Sequence, residues 1–327
     1  MKNNKNTLIG ITLIFLEISL LFTLISLAPQ EVLAGIGSPT TDPTTNLTIA
    51  NSFPEVHNIS INYDNPITLT PNDTTLIECL AIIIDWNGDS DIKFGNATIF
   101  DSTISESNPD DDNDHYTNQS CLIDTNTNNF QGIADDAYNA LINCTFEINY
   151  FANPGPWNCT IEVNDSAGNI GTGTKEETVS QLLALGLPDV INYGTVNATA
   201  VSEERTINVT NFGNIKVNLS LEGYGAYPLD GNAMNCTLGG IKNISVENEK
   251  YNLTTSISGA MNLTQFQSNY TSLNPAPTTK QFNLTSRLDD LADDTTKPTY
   301  WRIYVPTGVA GTCQGNIVFG ATTASEI

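Results

Sequence analysis

Side chains that could bind a metal recur at every second position in Asp85, Asn87, Asp89 and Asp91. Carboxylate and amide oxygens at that spacing form the first half of a calcium loop, because this hard cation takes about six to eight oxygen ligands. The second half departs from the pattern. Ser90 stands where the loop needs glycine, and Asn96 where it needs a bidentate glutamate. Asn87-Gly88 between apolar runs equally encodes a simple β-turn. A plain turn is therefore the expectation and no cofactor is required, with calcium at Asp85, Asn87, Asp89 and Asp91 as the alternative. A second acidic run, Asp110-Asp111-Asp112-Asn113-Asp114, lacks the same glycine and terminal acid and reads as a solvated loop.

Catalytic chemistry finds little to use. Only two histidines are present, His57 and His115, and neither serine nor cysteine sits in a nucleophile-elbow context. Carboxylate pairs are abundant by composition alone and single out no glycosidase site. Trp86, Trp157 and Trp301 lie on strands or at their ends, where core packing is the default role. No enzymatic activity is expected, and a secreted hydrolase ranks last among the readings.

The more specific signal is Asn-x-Ser/Thr, the acceptor for N-linked glycans. It occurs at Asn46, Asn58, Asn72, Asn96, Asn118, Asn143, Asn158, Asn164, Asn197, Asn208, Asn218, Asn235, Asn243, Asn252, Asn262, Asn269 and Asn283. With 40 Asn and 62 Ser+Thr in 327 residues, chance yields about eight such triplets (40 × 62/327). Outward strand positions filled with Asn and Thr create part of the excess automatically, as in Asn158-Cys159-Thr160. Yet Asn is a poor strand former, so its heavy use on strands asks for a reason. Glycosylation is the expectation.

Six cysteines follow the N-terminal segment: Cys79, Cys121, Cys144, Cys159, Cys236 and Cys313. An even count in an exported chain reads as disulfides, and with no Cys-x-x-Cys a zinc site is not expected. A domain boundary near 180–188 pairs Cys236 with Cys313 and leaves three connectivities for the other four. A hairpin at Asn153-Pro154-Gly155-Pro156 would set Tyr150 beside Trp157 and Cys144 near Val163. That register favours Cys79–Cys159 and Cys121–Cys144.

These groups need a compartment and a scaffold. The chain starts with Lys2 and Lys5, runs apolar from Leu8 to Leu27, and offers Val32-Leu33-Ala34 as a cleavage site, the signature of a secretory signal over 1–34. The apolar run nearly suffices to span a bilayer, so an uncleaved anchor is the alternative. Glu17 within it disfavours insertion. A pilin-type leader cut at Gly10 is a third reading, which Pro29 and the polar segment after it oppose. Residues 35–52, rich in Pro, Thr and Gly, form a flexible spacer.

A net charge of −24 excludes nucleic acid, which requires clustered Lys and Arg. Beyond the spacer, period-2 alternation predominates, as in Phe146/Ile148, Trp157/Cys159/Ile161/Val163 and Ile215/Val217/Leu219/Leu221. Such strands, separated by Gly/Asn/Asp/Pro turns, predict an all-β protein of two tandem sandwiches, 53–182 and 183–327. Short helical turns are expected only over Ala134 to Leu141 and Leu288 to Ala292.

Residues 76–94 (with LIECLAIIIDWNGDSDI) and 144–170 (with CTFEINYFANPGPWNCTIEVNDSAGN) resemble immunoglobulin-like or PKD-like modules of archaeal and bacterial surface proteins. Residues 191–214 (INYGTVNATAVSEERTINVTNFGN) are similar to ASH or choice-of-anchor repeats, and 300–321 reads as two closing strands. The resemblance implies immunoglobulin-like sandwiches and a non-enzymatic structural or adhesive protein of the cell envelope. Its partners would be other surface proteins or further copies of itself. A carbohydrate- or protein-binding module is the alternative, and membrane contact is expected only through an uncleaved N-terminal segment.

Overall fold

The computed structural model describes residues 44–126, 129–288 and 294–324. The leader, with its cleavage site and Gly10, lies outside the described residues. So do residues 35–43 of the spacer and all but Leu288 of the turn expected over Leu288 to Ala292.

Alternation makes each strand two-faced, and two such faces must be stacked to remove the apolar one from water. The first eight strands do this. They are β1 (Glu55–Ile61), β2 (Thr74–Ile84), β3 (Ile92–Asp101), β4 (His115–Asn118), β5 (Leu122–Asp124), β6 (Asn139–Asn149), β7 (Gly155–Asp165) and β8 (Ile170–Val179). They form two antiparallel four-stranded sheets, ordered β1-β2-β6-β5 and β4-β3-β7-β8. Ile77, Cys79, Ala81 and Ile83 of β2 and Ile142, Cys144, Phe146 and Ile148 of β6 share one buried core with Ala97 and Ile99 of β3 and Trp157, Cys159, Ile161 and Val163 of β7. Burying one such isoleucine contributes about 1.5–3 kcal/mol.

The second set comprises β9 (Leu185–Gly186), β10 (Arg205–Asn211), β11 (Val217–Tyr224), β12 (Asn232–Gly239), β13 (Asn243–Ser245), β14 (Glu249–Asn252), β15 (Thr271–Ser272), β16 (Thr278–Leu284), β17 (Thr296–Ile303), β18 (Val309–Gln314) and β19 (Asn316–Thr323). Its sheets run β15-β14-β17-β10-β9, β16-β11-β19 and β13-β12-β18. Around Trp301, which is fully buried, Tyr251 and Phe319 pack with ring centroids 5.3 Å away. The Trp301 indole N–H donates to Thr299 Oγ1 at 2.8 Å, so the core leaves no orphan donor there. Both halves are built from antiparallel sheets around an apolar core, the all-β class that the alternation implies.

Asn51–Ile327 forms one compact unit, and specific contacts join its two cores. The buried Asn214 donates from Nδ2 to the carbonyls of Ala152 and Ser180 at 3.0 Å, and its Oδ1 accepts from Leu182 N at 2.7 Å. The Arg287 guanidinium stands over the Phe151 ring at 4.8 Å. Tyr150 meets Phe212 edge-on at 5.9 Å and donates its hydroxyl proton to Asp294. Within the second sandwich, the fully buried Arg302 donates to the carbonyls of Ser202, Ile257 and Gly259 and to the Tyr270 hydroxyl. One cation thereby fastens an otherwise irregular stretch to β17.

Three local expectations are corrected. No hairpin forms at Asn153–Pro156: β6 pairs with β2 and β5, whereas β7 pairs with β3 and β8 in the facing sheet. Phe151 and Ala152 are buried in the connection, which therefore arches from one sheet to the other. Ala134 to Leu141 is not helical, because Asp136 Oδ1 accepts from the N–H groups of Tyr138 and Asn139 and Asn139 Nδ2 donates to Ala134 O. These side-chain bonds replace a helical ladder and lead into β6. A helix that sequence reasoning missed, α1 (Leu263–Asn269), begins with a capping box between Asn262 and Gln265. Asn-Leu-Thr-Gln before a phenylalanine was the legible signal.

Candidate functional site

One end of the first sandwich gathers four segments: the approach to β1 and the β2–β3, β5–β6 and β7–β8 connections. Its register fixes this, since Glu55 pairs with Ile84 and Ile92 with Asp165. Asp85, Asp91 and Asp165 meet there, each offering a carboxylate oxygen within 4.8 Å of the other two. Asp85 and Asp165 are buried, and Asp91 is half-buried.

Two of the four residues named for the calcium alternative, Asp85 and Asp91, thus come together with a residue from a distant strand. Asn87 is used differently: its Oδ1 accepts from the backbone N–H of Ser52 at 2.6 Å and from Ser52 Oγ at 2.8 Å. Asp89 opens a single 3₁₀ turn after Gly88, whose φ of 118° only glycine adopts readily. Asn96 lies on β3, so no continuous calcium loop is closed.

Each carboxylate is held differently. Asp85 Oδ1 accepts from Asn87 N at 2.8 Å and from Ser52 Oγ at 3.3 Å. Its Oδ2 is buried with no hydrogen-bond partner. Asp91 Oδ1 accepts the Ser166 hydroxyl proton. Asp165 accepts from Asn169 N at 2.8 Å, Asn169 Nδ2 at 2.9 Å and Asn51 Nδ2 at 2.7 Å. Desolvation works against the ionised form of Asp165, but these amide donors outweigh it and hold the carboxyl below its usual range.

Beside this cluster, Trp86 does not take the core position expected of it. It is 61% exposed and lies 5.6 Å from the exposed Tyr138 ring. The β-turn that follows β2 turns it outward, whereas Trp157 and Trp301, at strand positions on inner faces, are fully buried. In the second acidic run, Asp110 Oδ1 contacts His115 Nδ1 at 2.9 Å and Thr117 Oγ1 at 2.8 Å. The other nitrogen of the buried His115 ring contacts Glu106 O, and His57 pairs with Glu55 on the exposed face of β1. Both imidazoles are structurally engaged.

Cys79 is joined to Cys159, Cys121 to Cys144 and Cys236 to Cys313. The first links β2 to β7 across the sandwich. The third joins directly opposed residues of β12 and β18.

None of the seventeen sequon asparagines is buried. Asn46, Asn58, Asn72, Asn197, Asn208, Asn235, Asn243, Asn262 and Asn269 are exposed. Asn96, Asn118, Asn143, Asn158, Asn164, Asn218, Asn252 and Asn283 are half-buried. In four of these the amide nitrogen is already engaged: Asn96 with Glu162, Asn118 with Thr145 O, Asn143 with Glu78 and Asn252 with Asn269 O. Asn58, Asn72 and Asn283 have φ of 49°, 55° and 53°, the left-handed region that asparagine tolerates better than most residues. Backbone geometry therefore accounts for part of the asparagine excess.

In the second sandwich, a groove of about 1280 Å³ runs between segments 187–198 and 309–319. Tyr193 and Glu249 line it, and the Tyr193 hydroxyl donates to Glu249 Oε1 at 2.8 Å.

No family model and no curated protein matches the chain. Among solved structures, it is similar to CfaE, the adhesive subunit of CFA/I fimbria of enterotoxigenic Escherichia coli, at 13% identity and TM-score 0.29, over 84% of this chain and 82% of that one. A structure of carbohydrate-binding modules from the β-sandwich superfamily aligns at 12% identity and TM-score 0.23, over 83% and 97% of the two chains. The C-terminal domain of the Streptococcus agalactiae AgI/II polypeptide BspA aligns at 10% and TM-score 0.21, over 83% and 99%.

Proposed function

We propose that this chain is an exported, non-enzymatic, glycosylated protein of the cell surface, with a structural or adhesive role. The observation that carries the reading is that all seventeen sequon asparagines lie at positions that are not buried, in a fold stapled by three disulfides. Sugar on these faces would hydrate the surface, and bridged antiparallel sheets resist unfolding and proteolysis. Self-association or contact with other surface proteins would use sheet edges and loop tips.

Intact-mass and glycopeptide mapping of extracellular material tests this reading. Added sugar mass is expected mainly on peptides of the nine exposed sequons, with Asn143 unmodified. Reduction should add six hydrogens. Recovery of the chain from the cytoplasm with free thiols and no added mass would overturn it.

A second reading, a binding module for carbohydrate or protein, is favoured by the exposed Trp86–Tyr138 pair at the tip of the first sandwich. An exposed ring pair offers stacking area for a sugar face or an apolar side chain. Trp86→Ala should then abolish retention on cell-wall polysaccharide or partner cells while changing stability by less than about 0.5 kcal/mol. Equal retention of the variant removes the reading.

A further inference from the structure

We propose that Asp85, Asp91 and Asp165 form a calcium site that clamps the chain entering the first sandwich to the β2–β3 and β7–β8 turns. Three carboxylates converge within 4.8 Å of one another, with no Lys or Arg ion pair to any of them among the described residues. At that spacing like charges repel strongly, more so where burial lowers the local dielectric. Acidic turns alone would leave these groups in water. Here Asp85 is fully buried, its Oδ1 is taken by Asn87 and Ser52, and its Oδ2 has no hydrogen-bond partner. A buried carboxylate oxygen without a donor costs free energy unless something positive occupies the space it faces.

The donor set identifies the ligand class. Every candidate atom is oxygen, so a hard cation fits and a soft one does not. The carboxylates come from two separate segments with no octahedral constraint, which suits calcium better than magnesium. Two further oxygens lie at hand. Asn51 contacts Asp165 through its amide, and a half-turn of that amide would present Oδ1 in place of Nδ2. Ser52 Oγ already touches Asp85. Water, an ordinary calcium ligand, would complete the shell.

The consequence concerns the entering chain. Asn51 and Ser52 are the first residues of the folded unit, held to it by polar contacts with Asp165, Asp85 and Asn87. A cation shared by Asn51, Ser52 and the three carboxylates converts those contacts into a fixed attachment. Without the cation, Asn51 and Ser52 would be held to these turns by their hydrogen bonds alone.

Calcium is titrated into the folded, disulfide-bonded chain by calorimetry, with thermal unfolding followed in calcium and in chelator. One site in the range of extracellular modules, about 10⁻⁴–10⁻³ M, is expected, together with a calcium-dependent rise in melting temperature. Magnesium should bind markedly less tightly. Asp91→Asn, at a half-buried position that accepts no backbone hydrogen bond, should fold normally and bind calcium about tenfold or more weakly. Asp85→Asn should melt in chelator no lower than the parent, since it removes repulsion, while losing the calcium-dependent shift. No binding at millimolar calcium overturns the proposal. So does an equal response in parent and Asp91→Asn, which would mean diffuse neutralisation of the −24 charge. Neither result depends on whether the sequons carry sugar.

Discussion

Replacing Cys79 and Cys159 together by alanine is expected to destabilise the first sandwich by about 4.5 kcal/mol, the value for opening a loop of this length. The bridge spans 80 residues of sequence and joins β2 to β7 across the sandwich, with both cysteines fully buried. Without it, the unfolded chain regains most of the freedom that the closed loop denied it. Cys121–Cys144 spans only 23 residues, so removing it should cost about 1 kcal/mol less by the same logarithmic dependence. Denaturant unfolding of the two double variants, followed by the fluorescence of the buried Trp157, orders the effects. A midpoint unchanged by loss of Cys79–Cys159, or lowered more by loss of Cys121–Cys144, would refute the loop-length argument.

The second large effect is a pH dependence that one substitution should erase. Glu249 is 1% exposed, and burial pushes its carboxyl up to about 7, with the Tyr193 hydroxyl pulling modestly the other way. Arg205 stands behind, donating to the Tyr193 carbonyl at 3.0 Å rather than to the carboxylate. In the unfolded chain Glu249 ionises near 4.5. Between these values the folded state holds a proton that the unfolded state has lost, so raising the pH favours unfolding. The contribution is fully present below about pH 4.5 and is lost as pH rises through about 7. Two and a half units correspond to about 3 kcal/mol.

Glu249→Gln stays neutral and still accepts from Tyr193. It should match the parent near pH 4.5 and exceed it by about 3 kcal/mol at pH 8. Acid loss below pH 4 should be common to both, since Asp230 is held down to about 2 by backbone N–H donors from Ala226, Asn232, Gly225 and Tyr227 that outweigh its desolvation. Parallel stability profiles for parent and variant from pH 5 to 8 would rule the assignment out.

The difference between these two groups shows how far the residues speak locally. Cys79 and Cys159 sit on the apolar phase of their strands, and that phase is legible in Ile77-x-Cys79-x-Ala81 and Trp157-x-Cys159-x-Ile161. Glu249 gives no such signal: Glu-Lys-Tyr-Asn reads as a polar stretch, and only the segment carrying Tyr193 and its pairing opposite Ile303 bury it. Arg302 is similar, since its three carbonyl partners come from irregular chain far away in sequence. Even the connection between β6 and β7 misled, because Pro-Gly encodes a bend but not whether the bend stays within one sheet.

The sequence by itself determined the all-β class, the inward phase of the strands and the placement of Asn-x-Ser/Thr on faces that stay out of the core. Each of these depends on near neighbours, chiefly the period-2 geometry that sends alternate side chains to opposite faces. The metal-binding alternative shows the limit. Asp85 and Asp91 were visible as an alternating acidic run, yet of the two that shared that spacing Asn87 accepts from Ser52 and Asp89 stands outside the cluster. Asp165 joins Asp85 and Asp91 only because β3 and β7 pair in a register that sets Ile92 opposite Asp165. Long-range register follows from packing two whole sheets against each other, and no local spacing encodes it.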